Sequence, residues 1–405
     1  MKNGWQIKKL GEICSFLNRG ISPRYLDRGG ICVLNQKCIR DHRVSYEPSR
    51  RHDARAKKVG SERLVQAGDV LVNSTGTGTL GRVAQLREAP PEPTTVDSHV
   101  TIVRPTPGTF YQEFFGYMLV VIEDAIKEAG EGCGGQTELA RSALAEKFPV
   151  HYPESLPEQQ RIVGILDEAF EGLATAKSNA EKNLQNARAL FESHLQSVFT
   201  QCGPGRVEKR LVEVSREFGR GKSKHRPRNE PKLYNGPYPF IQTGDISNAD
   251  HWLTDYTQTY SEVGLAQSRL WPKGTICIAI VGATVGETAI LDFEACFPDS
   301  VIGVVVNEKI ADNEYVEFLL QAFKALLKEK GKGTARDNIN LGTFENQRFP
   351  FPSLKQQKDI VATFSALSEE TQRLESLYQQ KLAALEALKK SLLHRAFNGE
   401  LTGDN

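Results

Sequence analysis

At 405 residues, 39% hydrophobic and 25% charged, the chain is long enough for two or more domains with ordinary cores, and its formal net charge of +1 neither supports nor excludes a nucleic-acid partner, which needs a basic surface rather than a basic total. No stretch approaches the roughly 18 apolar residues of a membrane span, and the opening MKNGWQIKKLGEI lacks the apolar run of a signal peptide. Seven cysteines, an odd number without a Cys-x-x-Cys pair, support neither disulfides nor zinc, so a reduced cytoplasmic protein is expected.

Along the chain, GDVLVNS (68–74), RVAQL (82–86) and VTIVRP (100–105) have strand composition, and 111–129 has helical periodicity. A long helix is predicted from Ser155, where Ser155-x-x-Glu158 reads as a capping box. Its apolar residues recur at steps of three and four, including Ile162, Leu166, Leu173, Leu184 and Leu195, until Gly203-Pro204 ends it. The basic segment 219–232, GRGKSKHRPRNEPK, reads as a loop with no clear counterpart earlier in the chain. Strands follow at 275–281 and 301–307, and a helix at 313–330. A second long helix starts at Ser353-x-x-Gln356, carries Ile360, Phe364, Leu367, Leu374, Leu382 and Leu385, and ends at Asn398-Gly399.

These two helices are copies. Shifting 155–199 by 198 places it on 353–397 without a gap and with 13 identities in 45 positions, among them Ser155/Ser353, Gln159/Gln357, Ile162/Ile360, Leu195/Leu393 and Phe199/Phe397. Fainter echoes precede them: KKLGEI (8–13) and KRLVEV (209–214), Asp97-Ser98 and Asp299-Ser300, Phe148-Pro149 and Phe349-Pro350. The chain is thus written twice, as a variable part of about 150 residues and then a repeated stretch of about 45. The expected divisions are 1–154, 155–202, 203–352 and 353–400, with α+β variable domains and helical rods of about 60 Å at ~1.5 Å per residue. A plain scaffold coiled coil would leave two large, divergent, loop-rich domains unexplained.

Catalytic motifs fail on their context. Gly76-Thr77-Gly78-Thr79-Leu80-Gly81 matches GxGxxG, but a dinucleotide site needs a helix to open there, and RVAQLREAPPEP continues as a strand and a proline-rich loop. Gly221-Lys222-Ser223 resembles the end of a phosphate-binding loop, yet Arg216 stands where its first glycine belongs. The Pro90-Pro91 pair lacks the Asn/Asp and aromatic neighbours of an amino-methyltransferase, Pro298-Asp299 is not followed by a nuclease-like Glu-x-Lys, and the eight histidines show no metal-ligand spacing. Neither a catalytic residue nor a metal ligand is therefore assigned.

What remains is polar and basic material in loops, of the side-chain types that read base edges or grip phosphates. In the first half these are Lys37, Arg40, Arg43, Ser74, Thr75, Thr77, Thr79, Arg82 and His99, with Arg50 and Arg51 nearby. In the second they are Gln242, Thr243, Asp245, Thr284, Lys332, Arg336 and Asn338, together with Lys222, Lys224, Arg226 and Arg228 of the basic loop.

Two variable domains, each followed by a repeated helix, resemble the specificity subunits of type I restriction–modification systems. The most specific marks are PESLPEQQRIV (153–163), PSLKQQKDIV (352–361) and LLHRAFNGEL (392–401); Gln356 departs from the family's usual Glu but suits a capping box equally. The resemblance implies two target recognition domains, each reading one half of a bipartite site on double-stranded DNA, and two antiparallel helices as spacer. It further implies docking of two methyltransferase subunits and association with restriction subunits. S-adenosylmethionine, ATP and magnesium would then belong to those partners, with no cofactor and no catalysis on this chain.

Overall fold

The computed structural model describes residues 4–133, 136–200, 205–225, 227–331 and 341–401. The chain divides into two compact units, 1–180 with 380–405, and 181–379.

The first unit is built around an antiparallel sheet ordered Cys14–Arg19, Val100–Pro105, Val70–Asn73, Val83–Gln85. Val70–Asn73 is buried along its whole length, which is why it is a plain apolar run rather than an alternating one. The helix Gln112–Val121 covers one face, its Phe114, Phe115, Met118 and Leu119 recurring at helical spacing against Val70, Val72 and Val103. A second four-stranded sheet, ordered Thr94–Val96, Ile31–Leu34, Arg50–His52, Tyr25–Leu26, begins with a parallel pair and continues antiparallel.

The second unit repeats this plan. Ser215–Arg220, Val301–Val306, Ile276–Ala279 and Thr288–Leu291 stand in the same order, and Trp252–Leu253 adds a parallel fifth strand. Its smaller sheet comprises Gln258–Tyr260, Tyr234–Phe240, Ala295–Cys296 and Leu270–Trp271. The echo KKLGEI/KRLVEV marks a shared device: a strand, Trp5–Lys9 or Val207–Arg210, pairs with the segment leading into the long helix, Pro149–Pro153 or Arg348–Phe351. A single helical turn follows each strand, held by Glu12 accepting from the Lys9 N–H and Glu213 from that of Arg210, each at 2.6 Å.

The central helix, Leu156–Thr200, and the C-terminal helix, Leu354–Phe397, run antiparallel: Lys177 pairs with Glu386 at 2.7 Å in the first unit, and Arg188 with Glu375 at 2.8 Å in the second. The second helix start forms its capping box, Ser353 N–H donating to Gln356 Oε1 and Gln356 N–H to Ser353 Oγ. In the first copy Glu158 is drawn to Arg161 at 2.9 Å. Sequence reading missed the role of the glutamine that follows. Gln159 and Gln357 are buried and lock each helix to its unit, accepting from the Tyr111 and Asp312 N–H groups, each at 2.8 Å, while donating to the Pro153 and Pro352 carbonyls.

The residues expected to form one seam are divided by the structure. Ile162 and Leu166 enter the core of the first unit beside Leu393, Ala396 and Phe397. Leu195 enters that of the second beside Phe199 and Phe364, with Ile360 and Leu367 packed against it. Leu173, Leu184, Leu374, Leu382 and Leu385 stay half-buried along the rods. Each unit therefore buries the start of its own helix and the end of the other.

Candidate nucleic-acid interface

The loops of the first unit that carry the candidate residues are set by strand ends. After Ile31–Leu34, Asn35 caps a short turn, its side chain accepting from the Lys37 N–H and donating to the Pro48 carbonyl. A tight hairpin follows, Ile39–Arg40 against Arg43–Val44, with Asp41 and His42 at positive φ in its turn. His42 is tied to Glu123 at 3.0 Å, while Lys37, Arg40 and Arg43 remain exposed. Arg50 lies over the Tyr25 ring, and Arg51 pairs with Glu92.

The glycine-threonine loop leaves Val70–Asn73 and runs into the strand Val83–Gln85, so no helix N-terminus forms for a dinucleotide. Gly76 is obligatory: φ is +104° and a Cβ there would lie 2.5 Å from Thr79 Oγ1 and 2.8 Å from Gln36 Nε2. Ser74 is a correction to the candidate set. It is buried and hydrogen-bonded to Thr101, so it shapes the loop and cannot touch a ligand. Thr79 bonds back to the Thr75 carbonyl, Arg82 donates to the Gly78 carbonyl, and Thr77 is exposed at the tip.

Thr75 and His99 come together, joined by Gln36, which sequence reading missed. Gln36 Nε2 donates to Thr75 Oγ1 at 2.7 Å and to the Thr75 carbonyl. That carbonyl can only accept, which fixes the amide orientation. Thr75 Oγ1 in turn hydrogen-bonds His99 Nδ1 at 2.7 Å. That contact orients the exposed His99 ring. Beneath it Asp97, its carboxyl pushed up by burial, accepts the His99 backbone N–H at 2.9 Å. The available signal for Gln36 was its place two residues after the strand Ile31–Leu34, as Gln242 stands two residues after Tyr234–Phe240.

In the second unit Asp245 accepts from the Gln242 N–H at 2.7 Å and from Thr257 at 2.9 Å, and Gln242 donates to Gln258. Thr243 begins the helical turn Thr243–Asn248, and Thr284 turns back on the Val281 carbonyl. The basic segment is less free than a loop. Its first two residues finish the strand Ser215–Arg220, Arg228 pairs with Asp299, and Glu230 holds His225 and Lys232. Lys222 and Lys224 are exposed, with no ion pair among the described residues. Nor does it lack a counterpart: Gly221 N–H bonds the Val301 carbonyl as Gly20 N–H bonds that of Val100, and a Cβ at either glycine would strike backbone. Arg226, Lys332, Arg336 and Asn338 lie outside the described residues.

Three backbone bonds at the base of the two loop sets correspond. Ser74 N–H to His99 O matches Ile280 N–H to Ser300 O; Gly81 N–H to Asn73 O matches Gly286 N–H to Ala279 O; Asn73 N–H to Arg82 O matches Ala279 N–H to Glu287 O. The side chains on this common frame differ in kind: Arg82 stands where the second unit has Glu287, and His99 where it has Ser300.

Burial pushes the Cys38 thiol up to about 11, the Cys14 thiol to about 12 and Cys277 higher still, far from a reactive thiolate. No group of His, Cys, Asp and Glu among the described residues is arranged to hold a metal ion. Among the same residues no helix is long and apolar enough to cross a membrane.

The family model for the type I restriction modification DNA specificity domain matches residues 2–184 and again 208–386. The chain belongs to that family. One curated relative, the EcoBI specificity subunit of the type I restriction enzyme of Escherichia coli, is 28% identical over 167 residues, 40% of this chain and 35% of that one. The chain thus spans about a third of the relative it matches. Two solved structures share this fold across nearly their whole length. A chain from a study of complex assembly and conformational transition in a type I R-M system has a TM-score of 0.78 at 17% identity, covering 99% of both chains. The HsdS subunit of Thermoanaerobacter tengcongensis has a TM-score of 0.59 at 18% identity, covering 99% of this chain and 98% of that one.

Proposed function

We propose that the chain is the non-catalytic, DNA-reading subunit of a type I restriction–modification complex. Each unit reads one half of a bipartite site on double-stranded DNA; the paired helices set the spacing and dock two methyltransferase subunits, to which restriction subunits add. Methyl donor, ATP and magnesium belong to those partners. The observation that carries this reading is the common backbone frame with divergent side chains. Two readers of one architecture suit two half-sites about one DNA turn apart, roughly 34 Å, and their divergence suits half-sites of different sequence. In the first unit the His99 ring, oriented by Thr75, offers a base edge a preorganised hydrogen-bonding group. Exposed Lys37, Arg40 and Arg43 around it suit phosphates, which position a protein without reading sequence. In the second, Lys222 and Lys224 have the same role.

Domain replacement tests the reading. With residues 1–154 exchanged for the matching domain of another family member and the methyltransferase partner supplied, one half of the methylated motif should change and the other persist. A change in both halves would refute independent readers.

A further inference from the structure

The duplicated helices pose a question of identity that their apolar anchors do not answer. Leu195 and Phe199 seal the second unit as Leu393 and Phe397 seal the first, and these pairs are equivalent under the shift of 198. Ile162 and Val163 likewise repeat as Ile360 and Val361. At these anchor positions the two helix ends are therefore alike. Two chains could pair central helix with central helix, and C-terminal with C-terminal, and bury these same anchors.

The charges between the anchors are not interchangeable. Lys177 pairs with Glu386, and Arg188 with Glu375. Under the same shift Lys177 is equivalent to Glu375 and Arg188 to Glu386. Both ion pairs thus use one pair of positions, occupied by two cations on the central helix and two anions on the C-terminal helix. An antiparallel pair of identical helices would set Lys177 against Arg188, or Glu375 against Glu386.

We infer that this inversion encodes partner choice: at these two positions the central helix is matched to the glutamates of a C-terminal-type helix and is set against a second copy of itself. Each pair is solvent-exposed and modest alone. Self-pairing of two chains, however, converts every one of these attractive pairs into a repulsive one at once, the device by which flanking charges select partners in coiled coils. The inference stands apart from the DNA-reading proposal, since it concerns only how the arms choose each other.

The full-length variant K177E/E386K tests it. Both intramolecular pairs keep opposite charges, one of them inverted, while every self-pairing becomes attractive as well. Refolded from denaturant at high protein concentration and measured by size exclusion with light scattering, it should show a dimer share on the order of tenfold above wild type, and the excess should shrink in about 1 M salt. R188E/E375K applies the same logic at the other pair and serves if the first variant folds poorly. The full inversion K177E/R188E/E375K/E386K restores like-charge self-pairing and should stay at the wild-type level. Equal dimer shares in all variants, or a full inversion as dimeric as the double variants, would overturn the inference.

Discussion

Removing one heptad from both helices tests the spacing proposal quantitatively. The Lys177–Glu386 and Arg188–Glu375 pairs bracket stretches of equal length on the two helices, and Ser178–Leu184 and Gln379–Leu385 are matched heptads within them. Deleting both segments together keeps Lys177 opposite Glu386 and Arg188 opposite Glu375. It also brings Ala187, buried in the native helix, to the place of buried Ala180, because these two small residues are seven apart. Seven residues at ~1.5 Å each shorten the rods by about 10 Å, or about three base pairs at ~3.4 Å per step. Sequencing of sites methylated by the complex should show both half-sites unchanged and the unspecified spacer shortened by about three base pairs. Full activity at the original spacing would refute the idea that the helices measure it.

Substituting His99 with Ala should relax discrimination at one base position of one half-site about fivefold, ~1 kcal/mol, as read by selection from a randomised duplex pool; an even loss across all sequences would mean that His99 touches phosphate. Replacing Lys222 and Lys224 with Ala should weaken cognate and non-cognate binding alike and flatten the salt dependence by about 0.9 in log–log slope for each phosphate no longer neutralised, measured by titration over salt; a loss confined to cognate DNA would make them base readers. In the second unit His251 lies 2.7 Å from buried Glu317 and 3.3 Å from Glu314. Burial lowers its proton affinity, but the two carboxylates outweigh it and leave the folded pKa raised. The stability this contributes is fully present below the unfolded value of about 6.5 and is lost as pH rises through the folded value. Thermal midpoints should therefore fall across that window in wild type and less in E314Q/E317Q, and equal pH slopes would contradict the assignment.

The duplication was legible because the helix starts and ends carry cores. Ile162, Val163, Leu195 and Phe199 repeat because each packs into a unit of the same architecture. Their identity could not say that each end packs into the other unit's core, since periodicity reports which face is apolar and not what covers it. Strands such as Val70–Asn73 and Val301–Val306 were legible from composition, but their order was not, because pairing is set by tertiary contacts. Thr75 and His99 were visible as polar loop residues. The link through Gln36 was not, since it joins positions 39 and 24 residues apart. The pairing of Arg228 within the loop 219–232 was not legible, because its partner Asp299 lies far along the chain.

The central claim is that one chain reads two different half-sites, and the most direct measurement is sequencing of methylated bases in cells carrying this chain with its methyltransferase partner. The account predicts a single motif of two unlike specified halves separated by a fixed unspecified spacer, absent when this chain is omitted. A continuous motif, two identical halves, or methylation that persists without the chain would contradict it.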